Sequence, residues 1–146
     1  MKPPSPGNKN NRVTDFPTRS RLPQGSETIL VVDDEPAVKA FVAEILRNCG
    51  YTVLEAADGL EAISALKKHE GDVDLLLSDM VMKPMNGRRT AEEIRALQSG
   101  VKILFMSGHT DDTFVRQILQ DGESSFLAKP FTPNALAAKV RGVLDS

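Results

Sequence analysis

The fold is decided by residues 28–36, whose sequence is TILVVDDEP. The first five residues form a short and mostly apolar run, which predicts a strand buried on both faces. Three acidic residues follow this run, and Pro36 suits the first turn of a helix because its missing N–H is not needed there. The stretch therefore predicts a buried strand, a polar turn at its carboxyl end and a helix directly after the turn.

The same pattern of strand followed by helix continues through the rest of the chain. Further strands are predicted over Tyr51–Ala56, Val73–Ser78, Val101–Met106 and Ser125–Ala128. Helices are predicted from Pro36 to Cys49, from a cap at Asp58, over Ala91–Leu97, over Asp112–Leu119, and from a cap at Thr132 to Leu144. Strict alternation of strands and helices predicts a parallel sheet that is covered on both faces.

The first two helices have apolar residues at helical spacing, which predicts the faces that they bury. These residues are Val38, Phe41, Val42, Ile45, Leu46 and Cys49 in the first helix, and Leu60, Ile63 and Leu66 in the second. Glu61 follows Asp58 by three positions, as in a capping box. The last helix is expected to bury Leu136, Val140, Val143 and Leu144.

Residues 1–27 differ in composition from the rest of the chain. They contain five prolines together with glycine, serine and asparagine, and few residues that could bury apolar surface. We expect this segment to be a flexible leader or linker, because it cannot offset the entropy lost on ordering. The folded domain is therefore expected to span residues 28–146.

Charge and cysteine content restrict the class of protein. The chain has a net charge of −2, but residues 1–27 carry +3, so residues 28–146 carry −5. An acidic domain argues against nucleic acid as a direct partner. The single cysteine, Cys49, excludes an internal disulfide and fits a cytoplasmic protein. No apolar run is long enough to span a membrane, and we expect no membrane contact.

Polar side chains follow four of the five predicted strands. Asp33 and Asp34 end the first strand, Asp79 the third, Ser107 the fourth and Lys129 the fifth. In an open parallel sheet, ligands bind beyond the carboxyl ends of the strands, so these side chains are expected to meet. Three carboxylates repel one another unless a cation is present, and oxygen ligands in so small a number favour Mg²⁺. A hydroxyl, a lysine and a nucleophilic carboxylate beside that ion are suited to phosphoryl transfer.

Four stretches together resemble the receiver domain of response regulators. The first strand and its acidic turn resemble the opening of this family, and residues 75–79, LLLSD, with Met82, Met85 and Gly87, resemble its phosphoacceptor strand and loop. Residues 105–108, FMSG, resemble its fourth strand, and residues 126–131, FLAKPF, resemble its lysine-proline motif. The resemblance covers residues 28–146.

This resemblance implies a flavodoxin-like fold with strand order 2-1-3-4-5, and it implies a role for each strand-end residue. Asp79 would be the phosphoacceptor, and Ser107 and Lys129 would each bind a phosphoryl oxygen. Mg²⁺ would be bound by Asp34, Asp79 and the backbone carbonyl of Val81, and by Asp33 through a water. The chain would then be a phosphoacceptor that assists its own phosphorylation and dephosphorylation, and not an enzyme acting on other substrates.

The resemblance also implies a conformational switch. Ser107 would move toward the phosphoryl group and Phe126 would rotate inward, which would change the surface formed by the fourth predicted helix, the fifth strand and the last helix. Phe126 lacks the hydroxyl of the tyrosine often found at this position, so we expect the active-like state to be partly populated before phosphorylation. A cis peptide is expected between Lys129 and Pro130.

One position departs from the family pattern. A proline often follows the methionine at Met82, but here Lys83 intervenes and Pro84 comes next. The distance along the chain from Asp79 to Gly87 is unchanged, so we expect the loop to close with an additional positive charge near the phosphate.

Three readings of the whole protein stay open at this point. The chain could be a stand-alone response regulator or the C-terminal receiver of a hybrid sensor histidine kinase. Residues 27–32 and 126–133 resemble the sequences of such C-terminal receivers. In both cases a histidine kinase or a histidine phosphotransfer protein would donate the phosphoryl group, and the output partner is unidentified. The third reading is a phosphatase with an aspartyl nucleophile. That class needs a second acid two residues after the nucleophile, where this chain has Val81.

Overall fold

The computed structural model of the protein describes residues 22–108, 116 and 125–146. These residues form five strands and four helices. The strands are β1 (Thr28–Val32), β2 (Thr52–Ala56), β3 (Leu75–Asp79), β4 (Lys102–Ser107) and β5 (Ser125–Ala128). The helices are α1 (Pro36–Asn48), α2 (Gly59–Lys68), α3 (Gly87–Leu97) and α4 (Pro133–Asp145).

The five strands form one parallel sheet in the order β2-β1-β3-β4-β5, which confirms the predicted flavodoxin-like order 2-1-3-4-5. The register brings the carboxyl ends together, because Val32 pairs with Ser78 and Ser107 pairs with Ala128. Asp79 is opposite Met106 of β4. The residues that follow β1, end β3 and β4, and follow β5 therefore lie at one edge of the sheet.

Helices cover both faces of the sheet, as the strand and helix pattern predicts. Alternate residues of each strand point to opposite faces. In β1, Ile29 and Val31 pack on one side with α1 and α4, while Leu30 and Val32 pack on the other side with α2 and α3. All four of these side chains are fully buried, so the strand is apolar on both faces.

Several elements begin and end at the predicted residues, and others begin at different residues. Strands β1 and β5 begin and end where predicted, and α1 begins at Pro36. Strand β3 begins at Leu75 and not at Val73, whose N–H donates to the Gln98 side chain at 2.9 Å, outside the ladder. Helix α3 begins at Gly87, well before the predicted Ala91, because the Asn86 side chain accepts from the Arg89 N–H at 2.8 Å and caps it.

Capping of α2 and α4 agrees with the prediction. The Asp58 side chain accepts from the Glu61 N–H at 2.8 Å, and Glu61 accepts in return from the N–H of Ala57 at 2.9 Å, one residue before the cap. Thr132 accepts from the Ala135 N–H at 3.0 Å. Helix α4 buries Leu136, Ala137, Val140 and Val143 and packs Leu144 at the edge of the same cluster.

The prediction that two apolar helix residues are buried is wrong. Phe41 is 45% exposed and Leu60 is 56% exposed. Successive helical residues are about 100° apart, so Phe41 lies beside the buried stripe whose centre is near Val42. Leu60 lies similarly far from the buried stripe of α2, which contains Ala62 and Leu66.

The expected flexible leader and the fourth predicted helix fall largely outside the described residues. Residues 1–21 are not described, and of Asp112–Leu119 only Arg116 is, in a helical conformation. Residues 22–27 contact the domain, because the Gly25 N–H donates to the Cys49 carbonyl at 3.0 Å and Leu22 packs against the core. No helix in the described part of the chain is long and apolar enough to cross a membrane.

A further contact joins the two ends of the domain. The Arg141 guanidinium of α4 donates to both carboxylate oxygens of Glu27, at 3.1 and 2.6 Å, and also to the Tyr51 hydroxyl at 3.2 Å. The hydrogen bonds from Arg141 lower the pKa of Glu27 to about 2. The segment before β1 is thereby held against the last helix.

Candidate functional site

Three carboxylates meet at the carboxyl edge of the sheet, as the sequence predicts. Asp33, Asp34 and Asp79 each place one carboxylate oxygen within 4.8 Å of the others. They meet because β1 and β3 are neighbours in the sheet. Asp33 and Asp79 are buried, while Asp34 is exposed.

Lys129 brings a positive charge to this cluster from the end of β5. Its ammonium Nζ lies 2.9 Å from Asp33 Oδ2 and 3.5 Å from Asp79 Oδ1. The peptide bond from Lys129 to Pro130 is cis, as predicted, and the Lys129 N–H donates to the Ser107 carbonyl at 3.0 Å. The lysine predicted from sequence therefore contacts the acidic cluster directly.

Asp33 is held by several hydrogen bonds. Its backbone N–H donates to the Ala56 carbonyl at 3.2 Å, which extends the pairing of β1 with β2. Its side chain accepts from the Glu35 N–H at 2.8 Å through Oδ1 and from Lys129 through Oδ2. A fully buried carboxylate with partners on both oxygens is a fixed acceptor at the base of the site.

Burial and like charge act together on Asp79. Desolvation, with smaller contributions from Asp33 and Asp34, raises the pKa of Asp79 to about 6, although Lys129 opposes the shift. The pKa of Lys129 is also raised, because its carboxylate neighbours outweigh the burial that would lower it. The site therefore has more negative charge than one ammonium can balance.

The loop after β3 is hydrogen-bonded at its start to β4 and closes on itself before α3. The Met80 N–H donates to the Met106 carbonyl at 3.0 Å, and the Gly87 N–H donates to the Met80 carbonyl at 2.8 Å. A Cβ atom on Gly87 would lie 2.3 Å from the Asp79 carbonyl oxygen, so only glycine fits there. The loop closes although Lys83 replaces the proline often found there, and the bond from Lys83 to Pro84 is cis. Sequence reasoning did not anticipate this second cis bond.

The remaining predicted residues occupy different depths. Ser107 ends β4 and is fully buried, next along the strand from Met106, which is paired with Asp79. Phe126 pairs with Phe105, is partly buried and packs on the core beneath α2 and α3. Val81 lies in the loop after β3 and is 43% exposed.

One contact at this site was missed by sequence reasoning. Glu35 Oε1 lies 3.4 Å from Lys129 Nζ, so this residue contacts the same ammonium as Asp33 and Asp79. Its position beside the acidic pair is visible in the sequence. The reach of its side chain toward β5 depends on how the turn after β1 folds, which the sequence pattern does not specify.

The donors present fit a hard divalent cation. All three acidic side chains offer oxygen atoms, which Mg²⁺ and Ca²⁺ prefer, and no cysteine or histidine joins them in the described residues. A cation would also relieve the repulsion that contributes to the raised pKa of Asp79.

The family model for the response regulator receiver domain matches residues 29–141 of this chain. The chain belongs to the response regulator receiver family. This receiver domain is 40% identical over 121 residues to the sensor kinase CckA of Brucella abortus, and 36% identical over 118 residues to the DNA-binding response regulator MtrA of Mycolicibacterium smegmatis. The matches cover 83% and 81% of this chain.

Solved structures that are similar to this chain include receiver domains of the same family. The receiver domain of the hybrid histidine kinase CckA superimposes with a TM-score of 0.67 at 35% identity, covering 80% of this chain and 98% of that one. The chemotaxis protein CheY4 of Vibrio cholerae gives a TM-score of 0.72 at 29% identity, covering 82% and 99%. By contrast, the chain spans 13% of the curated sensor kinase and half of the DNA-binding regulator. It is a receiver domain of two-component signalling, related to both.

The substitution Asp79→Asn is expected to stabilise the receiver domain at neutral pH in the absence of divalent ions. The folded pKa of Asp79, about 6, exceeds the ordinary value of 3.8, so between these values the folded protein binds more protons than the unfolded chain. Wild-type stability therefore falls as the pH rises through this window. The Asp79→Asn variant escapes this loss, so it should gain roughly 1–3 kcal/mol at pH 7.5 and progressively less toward pH 4.

Urea unfolding in EDTA at several pH values measures this difference. Asp72→Asn, a change to an exposed carboxylate just before β3, is the control and should give a small difference that does not depend on pH in the same way. A gain that is largest at pH 4 would contradict the assignment of a raised pKa to Asp79.

Proposed function

We propose that this receiver domain accepts a phosphoryl group on Asp79 from the phosphohistidine of a histidine kinase or a histidine phosphotransfer protein. The observation that carries the proposal is the buried carboxylate of Asp79 beside the acidic pair and 3.5 Å from Lys129. In the transfer, an Asp79 oxygen forms a bond to phosphorus as the bond from phosphorus to the imidazole nitrogen breaks. The output of the domain is then a change of surface.

The side chains of the site have complementary parts in this reaction. A pKa of about 6 leaves Asp79 mostly ionised at neutral pH, which a nucleophile requires. Lys129 and Ser107 would bind phosphoryl oxygens as the negative charge accumulates there. Asp34, Asp79 and the Val81 backbone carbonyl would hold Mg²⁺, with Asp33 acting through a water. The bound ion would supply positive charge to the phosphoryl oxygens.

The same residues support a switch. The phosphorylated side chain carries roughly two negative charges where ionised Asp79 carried one, and Ser107 and Lys129 are the groups that can move toward it. Phe126 packs only partly in the core, on a strand that pairs directly with β4. A shift of Ser107 would therefore change the packing beside Phe126, and with it the surface formed by the fourth predicted helix, β5 and α4.

The charge of the domain supports a protein partner. With a net charge of −5 over residues 28–146, a protein is the more suitable partner than nucleic acid, whether the domain acts alone or within a hybrid sensor kinase in the cytoplasm. A phosphatase with an aspartyl nucleophile is not favoured, because the residue two positions after Asp79 is the exposed and apolar Val81.

Treatment with acetyl phosphate and Mg²⁺ is expected to add one phosphoryl group to the wild-type domain and none to Asp79→Asn. The change removes the nucleophilic oxygen and leaves a side chain of nearly the same shape. Intact-mass spectrometry measures the gain, and Asp72→Asn is the matched control that should still gain it. An equal gain in wild type and Asp79→Asn would move the phosphoacceptor elsewhere.

Mg²⁺ is expected to raise the melting temperature of the wild-type domain but to have little effect on Asp34→Ala. Binding to the folded state alone stabilises it, and an exposed ligand such as Asp34 can be removed without leaving a buried charge unpaired. Thermal melts with and without Mg²⁺ give the shift for each protein. If Asp34→Ala kept the full wild-type shift, the ion would bind at another place.

Beryllofluoride, which imitates the phosphoryl group, is expected to shift the NMR resonances of Ser107 and Phe126. If Phe126 exchanges between two positions before phosphorylation, its signals in the untreated domain should already lie part of the way toward the bound ones. Resonances from Tyr51 at the opposite edge of the sheet provide the comparison. Unchanged signals at Ser107 and Phe126 would rule out this coupling.

A further inference from the structure

Glu35 is placed where a helix cap belongs, but its side chain serves another purpose. It is the N-cap residue of α1, with extended backbone, and makes no capping hydrogen bond through its side chain. The short side chains of Asp, Asn, Ser and Thr normally fill this role because they accept from the first turn. The backbone N–H of Glu35 donates to Asp33 Oδ1 at 2.8 Å, so its main chain is fixed to the acidic cluster.

The carboxylate of Glu35 extends to Lys129. Its Oε1 atom lies 3.4 Å from the ammonium, which also contacts Asp33 at 2.9 Å and Asp79 at 3.5 Å. The side chain of Glu35 is 64% exposed, whereas that of Asp33 is fully buried and that of Asp79 is 8% exposed. An ammonium has three protons, and here three carboxylates surround it. Glu35 is the outermost of the three.

The geometry indicates which contact is given up when a phosphoryl group arrives. Lys129 must turn part of its donor capacity toward the new oxygens. Asp79 itself becomes the acyl phosphate, so the carboxylates left on the ammonium are those of Asp33 and Glu35. A carboxylate in water loses little when its partner leaves, whereas the buried Asp33 would be left with a large desolvation penalty. The exposed contact to Glu35 is therefore the one that exchanges. Afterwards the Glu35 carboxylate remains near a group of the same charge, which disfavours the phosphorylated state.

We propose that Glu35 is a positioning residue that competes with the phosphoryl group for Lys129, and this proposal rests on the function proposed above. Glu35 holds the ammonium toward the rim of the site before phosphorylation and sets part of the free energy needed to redirect it. The residue thus tunes how readily the domain accepts and keeps a phosphoryl group, without contacting the reacting atoms.

Two variants separate the contact from the charge. Glu35→Gln keeps the length of the side chain and removes its charge, while Glu35→Asp keeps the charge and withdraws it from Lys129 by one methylene. If the contact matters, both variants should bind beryllofluoride in the presence of Mg²⁺ about two- to fivefold more tightly than wild type, in line with the small strength of exposed ion pairs. Phosphorylation by acetyl phosphate at low donor concentration should accelerate by a similar factor.

The measurements are the dissociation constant for beryllofluoride, followed by NMR, and the rate of mass gain. Glu44→Gln, an exposed carboxylate on the same helix and about 13 Å further along it, is the control and should match wild type. Melting curves of all variants without ligand test for a purely structural effect, which would change stability but not affinity.

The outcomes distinguish the proposals. Tighter binding in Glu35→Gln alone would overturn the competition for Lys129, because charge near the site would then suffice. Unchanged or weaker binding in both variants, with a normal wild type, would overturn the role of Glu35 only. A wild-type domain that neither gained mass nor bound beryllofluoride would overturn the proposed phosphoacceptor function and this inference with it.

Discussion

The site depends on the burial of negative charge that one lysine only partly compensates. Asp33 and Asp79 are both out of solvent, and Asp34 adds a third carboxylate at their exposed side. Lys129 contacts both buried groups, but the pKa of Asp79 still rises to about 6. A folded protein tolerates such a deficit only if the surrounding structure is strong enough to hold the groups together. The deficit is also what makes the site receptive to a cation.

The packing of the sheet holds these carboxylates together. Strand β1 is fully buried from Ile29 to Val32, and β3 beside it is buried along its whole length. Helices on both faces exclude water from these strands, so the residues at their carboxyl ends have few alternative positions. Asp33 is further fixed through its N–H to Ala56 and through its side chain to Glu35. The carboxylates therefore stay close because the backbones that carry them cannot separate.

Sequence reasoning succeeds where burial on two faces and strand order determine the result. The apolar strands and the meeting of Asp33, Asp34 and Asp79 with Lys129 at one edge of the sheet follow from those constraints, whereas the sheet order is implied by the resemblance to the receiver family. It fails for Phe41 and Leu60, because helical spacing alone does not separate the centre of a buried stripe from its border, and a large apolar residue there can face solvent. It also misses the contact of Glu35 with Lys129, since side chains from distant strands meet only once the turn is folded. It misses the contact between Glu27 and Arg141 for the same reason, because these residues are also distant in the sequence.

The buried site and the exposed surface have different roles: the site holds the charged groups, and the surface is where a partner is selected. The charges at the strand ends are set by the packing beneath them, and they support the proposed phosphoryl transfer without reference to a partner. Relatives with different names, a sensor kinase and a DNA-binding regulator, match the same domain at 40% and 36% identity. The domain fold is thus compatible with different outputs, so a partner must be selected by groups outside the buried core. Phe41, Leu60 and Val81 are large apolar side chains that the fold leaves exposed. They contribute little to stability where they lie, so the packing of the domain does not constrain them as it constrains Asp79.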